Sequence, residues 1–150
     1  MLPNESGPII QHAIQLAIAP VFLLTGIAAL LGVMANRLAR IIDRARDLEH
    51  RWAGLDEKAL PAARLEIADL ERRRHFASWS INFCTSAALL VCIVIATLFF
   101  EEFFRTDLRW LAGALFVSVM VALVAGLTCF LREVYLATHS IRIDADRFER

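Results

Sequence analysis

The chain has 150 residues, room for one domain, and its 58% apolar content and mean hydropathy of +0.55 are high for a water-soluble one. Its 16 basic and 16 acidic side chains cancel, which excludes the basic excess that a nucleic-acid partner needs to neutralise phosphates. The charges are nonetheless segregated, since ten of the basic and eight of the acidic residues fall within 37–75.

In chain order, the first segment, MLPNESGP, has no Lys or Arg to form the basic start of a signal peptide. Ala17-Ile18-Ala19 resembles a cleavage motif, but Pro20 follows it directly and the apolar run continues to Ala35. The run is therefore expected to be retained as a membrane span. Three segments, about 9–35, 76–100 and 110–131, are long and apolar enough to cross ~30 Å of hydrocarbon at ~1.5 Å per helical residue. Helices are the expected form, because an open strand in lipid leaves backbone groups unpaired. Pro20, inside the first span, is expected to kink it.

Between the first two spans lies a patterned, charged segment, 36–75. Leu38, Ile41, Ile42, Ala45, Leu48 and Trp52 recur with a helical period, and Arg37, Arg40, Arg44, Asp47 and Arg51 take the opposite face. Gly54 and Pro61 bracket a turn, after which Leu60, Ala63, Ile67 and Leu70 resume the helical spacing up to Arg72-Arg73-Arg74. The expected architecture is all-α: three transmembrane helices in a single membrane domain, the first two extended into a cytoplasmic helical hairpin. A helix lying flat on the headgroups is the rival reading of the first arm, and the interleaved Asp43, Asp47 and Glu49 weaken it.

Orientation follows from the positive-inside rule. With 36–75 and the tail 132–150 in the cytoplasm, 14 basic residues lie inside and only Arg105 and Arg109 outside. That gives an N-terminus out and a C-terminus in. Phe99, Phe100, Phe103, Phe104 and Trp110 would mark the outer interface, and Phe76, Trp79, Phe130 and Tyr135 the inner one. Asp107 is the expected N-cap of the third span, and the short outer connection makes spans two and three antiparallel neighbours. Arg72, Arg73 and Arg74 fit a topology determinant and an anchor for anionic headgroups.

The run 19–49, APVFLLTGIAALLGVMANRLARIIDRARDLE, resembles an uncharacterised bacterial membrane family, domain of unknown function 2721. The resemblance is carried by Pro20-Val21-Phe22-Leu23-Leu24-Thr25-Gly26, Asn36-Arg37-Leu38 and Arg40-Ile41-Ile42-Asp43-Arg44-Ala45-Arg46, and by the three-span layout. It implies a small polytopic protein of a bacterial inner membrane and brings no activity, cofactor or site residue with it.

Motifs for nucleotide binding, zinc hydrolysis, serine hydrolysis and dithiol chemistry are missing from the sequence. The histidines, His12, His50, His75 and His139, have no ligand-like spacing, and Cys84, Cys92 and Cys129 read as small apolar residues within spans. No enzyme activity, cofactor or metal is expected. Span two carries Ser78, Asn82, Thr85 and Ser86 within an arc of about 100°, with Thr97 near the same direction. These are interhelical hydrogen-bond partners or, alternatively, candidate pore-lining residues. Glu101 and Glu102 are solvated boundary charges or, in a symmetric ring, candidate outer-mouth carboxylates. Ala114, Ser118, Ala122 and Gly126, each four residues apart, form a candidate helix-packing face.

Two functional expectations follow, with the lipid bilayer as partner in both. One is a homo-oligomer with an ion-channel role. The other is a non-conducting scaffold or accessory subunit that binds a protein partner through the charged hairpin.

Overall fold

The structure is a computed structural model that describes residues 6–54, 57, 59–104 and 107–145. Three long helices account for nearly all of them: α1, Ser6–Arg51; α2, Leu60–Phe104; and α3, Arg109–Ala145. No strand occurs among the described residues. A 3-10 turn, Trp52–Gly54, ends α1 at the glycine expected to break it. At the start of α2 the Ala63 N–H donates to Ala59 O (3.1 Å), which makes Ala59 the cap and puts Pro61 in the first turn. Proline is tolerated there because the first helical N–H groups have no partner within the helix.

The helices outrun the expected spans. α2 continues through Glu101–Phe104, so the connection to α3 is shorter than the apolar run suggested. α3 starts at Arg109, with Ala112 N–H donating to Leu108 O (3.0 Å). The cap is therefore Leu108, one residue after Asp107. At its far end α3 runs on past 131 to Ala145, so most of the expected tail is helix; 146–150 lie outside the described residues.

All three helices are long and apolar enough to cross a bilayer, yet only 17%, 22% and 17% of their most apolar windows is buried within the protein. Surface of that kind is stable only in contact with lipid or with another apolar surface. The chain is thus a multi-pass membrane protein with three membrane-spanning helices.

Burial along each helix repeats every seven residues. On α1 the buried positions are Pro20, Ile27, Met34, Ile41 and Leu48; on α2, Ala63, Leu70, Ala77, Cys84 and Val91, with Ser80, Ala87 and Val94 three further on; on α3, Ala112, Val119, Gly126 and Glu133. This is the spacing of knobs-into-holes packing, in which every seventh residue returns to the seam.

Contacts divide the chain into two compact units, Met1–Leu31 with Phe83–Val124 and Gly32–Asn82 with Ala125–Arg150. The first has a purely apolar seam of Ile27, Cys84, Ala87, Val91, Val94, Ala112 and Val119. The second packs Ile41 and Leu70 with Ala77, Leu38 and Ala45, and its seam admits polar groups. Within it Met34 meets Ser80 and Arg44 meets Glu66, so α1 and α2 run antiparallel. Ser80 meets Gly126 and Arg73 meets Glu133, so α2 and α3 are antiparallel too, as the short connection implied.

Candidate functional site: a buried carboxylate and an outward polar stripe

Polar groups in this protein occupy two kinds of place. The first is the seam of the unit formed by Gly32–Asn82 and Ala125–Arg150. Glu133 is the most buried charged residue among those described, at 1% exposure, and arginines from both other helices reach it. Arg73 Nη2 donates to Glu133 Oε1 (3.2 Å). Arg37 Nε lies 3.1 Å from Oε2, close enough for an ion pair but not aligned as a hydrogen bond. The Arg37 guanidinium also sits over the Phe130 ring, 5.5 Å from its centroid, in a cation–π contact. Arg73 Nε is buried with no hydrogen-bond partner among the described residues. One carboxylate therefore ties α1, α2 and α3 together, with two guanidiniums to one carboxylate.

The seven-residue register explains why these residues converge. Arg37 stands three residues after Met34 on the α1 seam, Arg73 three after Leu70 on α2, and Glu133 seven after Gly126 on α3. Arg37 and Arg73 therefore hold the second position of the seam, the one Ser80 holds seven residues further along α2, and face Glu133 on the α3 seam. The pattern repeats one heptad along, where Arg44 Nη2 meets Glu66 Oε1 at 2.7 Å. Arg37, expected on the solvent face with Arg40 and Arg44, is instead half-buried with its guanidinium reaching inward to Glu133.

Ser80 is the second buried polar side chain of this unit, fully enclosed. Its Oγ donates to Gly126 O (2.9 Å) and lies 3.2 Å from Met34 Sδ. With no side chain at Gly126, the α3 backbone can come within reach of a short serine. Ser80 is outside the polar group expected from the sequence; it stands three residues after Ala77, the second seam position of the heptad that runs through Leu70, Ala77 and Cys84.

The second place is the outward face of α2. In the same unit Ser78 is half-buried and Asn82 exposed. In the other unit Thr85 and Ser86 are exposed, and Thr97, half-buried, returns its hydroxyl to Ile93 O (2.8 Å). Hydroxyls within a span commonly satisfy themselves on the carbonyl four residues back, as Ser118 does on Ala114 O (3.0 Å). The Asn82 carboxamide, with two donors and two acceptor lone pairs, has no such internal solution.

The remaining candidates are distributed as follows. Ala114 and Ser118 are exposed, Ala122 is half-buried and Gly126 buried. Four-residue steps advance ~40° beyond a full turn, so the run winds from the outer surface into the seam. Glu101, with 16% side-chain exposure, accepts from Arg109 Nε (3.2 Å), while Glu102 is half-buried. Of the three adjacent arginines, Arg73 turns inward to Glu133, Arg74 pairs with Glu71 (3.7 Å), and Arg72 is exposed. Phe99, Phe100, Phe103, Phe104 and Trp110 are all exposed, and Phe100 stacks on Phe104 at 4.3 Å. Among the described residues no cluster of His, Cys, Asp and Glu could hold a metal ion.

No curated protein and no solved structure matches the chain. The profile of a family described as Protein of unknown function (DUF2721) matches residues 17–143, which takes in every buried seam residue from Ala17 to Glu133. The chain belongs to that family, a family of unknown function whose member here carries three membrane-spanning helices.

Proposed function

We propose that this is a non-catalytic bacterial inner-membrane protein, N-terminus out and C-terminus in, that assembles into symmetric homo-oligomers and conducts ions along the polar face of α2. The observation that carries the reading is the exposure of Asn82, beside Thr85 and Ser86, on a helix whose surroundings are otherwise apolar. Asn82 lies six residues inside the apolar boundary at Phe76, about 9 Å along the helix. A carboxamide left facing lipid costs several kcal/mol, on the order of 2–7, and the same group on a second copy would relieve it. Three spans enclose no pathway alone, whereas a ring of copies would gather the stripe around its axis. In such a ring Glu102 would supply the negative charge at the outer mouth, because Glu101 is engaged by Arg109. The cytoplasmic side would hold the arms of α1 and α2 beyond Asn36 and before Phe76.

The test is cation flux into liposomes containing the purified protein, compared with Asn82→Trp and Thr85→Trp. Flux in the unaltered protein that both substitutions abolish supports the reading; impermeable liposomes around an intact oligomer count against it.

A second reading, a scaffold whose cytoplasmic arms dock a partner, is favoured by Leu65, 73% exposed among the charges of α2. A photo-crosslinker at position 65 in native membranes would then capture a different protein. Self-crosslinks alone would dismiss it.

A further inference from the structure

The unit that holds Glu133 also contains an open groove of about 520 Å³ between α2 and α3, lined by Arg72, Phe76, Leu131, Arg132, Tyr135 and Leu136. These residues straddle the level at which both apolar runs give way to charge, since α2 becomes apolar at Phe76 and α3 ceases to be so after Leu131. The groove therefore has two kinds of wall at one depth. On the apolar side Phe76 and Leu131 open an apolar slot along the helices, Arg72 and Arg132 put two cations at its head, and Tyr135 and Leu136 lie on the charged side of Arg132.

Those two arginines differ from their neighbours. Arg73 is taken by Glu133 and Arg74 by Glu71, but neither Arg72 nor Arg132 belongs to an ion pair found among the described residues, and both are exposed. Two cations at the headgroup level, with an aromatic hydroxyl at Tyr135 and an apolar slot beneath, match a molecule with a phosphodiester at one end and an acyl chain at the other.

We propose that this groove is a specific binding site for one anionic phospholipid, its phosphate held between Arg72 and Arg132 and an acyl chain laid along Phe76 and Leu131. The inference needs only that the helices lie in a bilayer and is independent of assembly or conduction. It also divides the labour of the three adjacent arginines: Arg73 and Arg74 serve the fold, and Arg72 serves the lipid.

The experiment is native mass spectrometry of the delipidated full chain, titrated with phosphatidylglycerol, with phosphatidylcholine of the same acyl chains, or with inorganic phosphate. The expected result is a saturable first phosphatidylglycerol adduct that phosphatidylcholine does not reproduce. Arg72→Gln and Arg132→Gln should each weaken it about fivefold, the scale expected for one basic residue near an anionic surface, and Arg40→Gln should leave it unchanged. Leu131→Ala keeps both cations and removes an apolar wall of the slot, so it should weaken the lipid adduct as well. Phosphatidylcholine binding equally, or phosphatidylglycerol unaffected by either arginine substitution, would overturn the site. Competition by inorganic phosphate, with Leu131→Ala without effect, would also overturn it by showing a site for a free anion.

Discussion

Replacing Glu133 with alanine removes the one carboxylate that α1, α2 and α3 share. Loss of one member of a buried ion pair ordinarily costs about 3–5 kcal/mol, because the other member stays buried and uncompensated. Here the stranded partners are Arg37, with a side chain 35% exposed, and Arg73, 20% exposed. Both can regain some water, so the expected cost is lower, about 2–3 kcal/mol. Arg73→Ala removes the aligned hydrogen bond and should cost about 1.5–3 kcal/mol, while Arg37→Ala, at the more exposed pair, should cost about 1 kcal/mol. Replacing all three by leucine should cost less than Glu133→Ala alone, since no charge is then left without its partner. Reversible unfolding in mixed micelles of rising SDS fraction, followed by helical circular dichroism, gives these differences directly. A Glu133→Ala protein within about 0.5 kcal/mol of the original would refute the idea that this carboxylate ties the helices together.

Other substitutions sort the remaining contacts by the same measurement. Gly126→Leu puts a large side chain where Ser80 meets the α3 backbone at 2.9 Å, so it should destabilise by about 1–3 kcal/mol. Ser80→Ala should cost about 0.6 kcal/mol, the ordinary value of a hydrogen bond between membrane helices. Arg44→Gln should cost under about 1 kcal/mol despite the 2.7 Å contact with Glu66, because both side chains are well exposed, and added salt should shrink the difference. In detergent, maleimide should modify exposed Cys92 well before buried Cys84; equal rates would contradict the seam assignment on α2.

The three helices were legible in the sequence because an uncharged run of membrane length has few other solutions, and the turn because Gly54 and Pro61 interrupt an otherwise continuous helical pattern. Helix ends were less so. Glu101–Phe104 look like a loop once the apolar run stops, yet Glu101 prolongs α2 and accepts from Arg109. The buried polar groups were hidden for a different reason. An acid two residues beyond an apolar run looks like a solvated boundary charge, and only the seven-residue register brings Glu133 into line with Ala112, Val119 and Gly126. The same register distinguishes Ser80, which faces inward, from Asn82 two residues later, which faces out. Composition within a span shows which residues are polar; the period of the seam decides which of them the protein itself satisfies.

The proposed assembly rests on that outward face, and the mass of the full chain in lipid nanodiscs or mild detergent, measured by light scattering and corrected for bound lipid and detergent, tests it most directly. A particle of four or more copies of the 16.8 kDa chain, reduced to smaller species by Asn82→Leu, is the predicted result. A monomer or dimer that Asn82→Leu leaves unchanged would contradict it, because three spans per copy could not then surround a path.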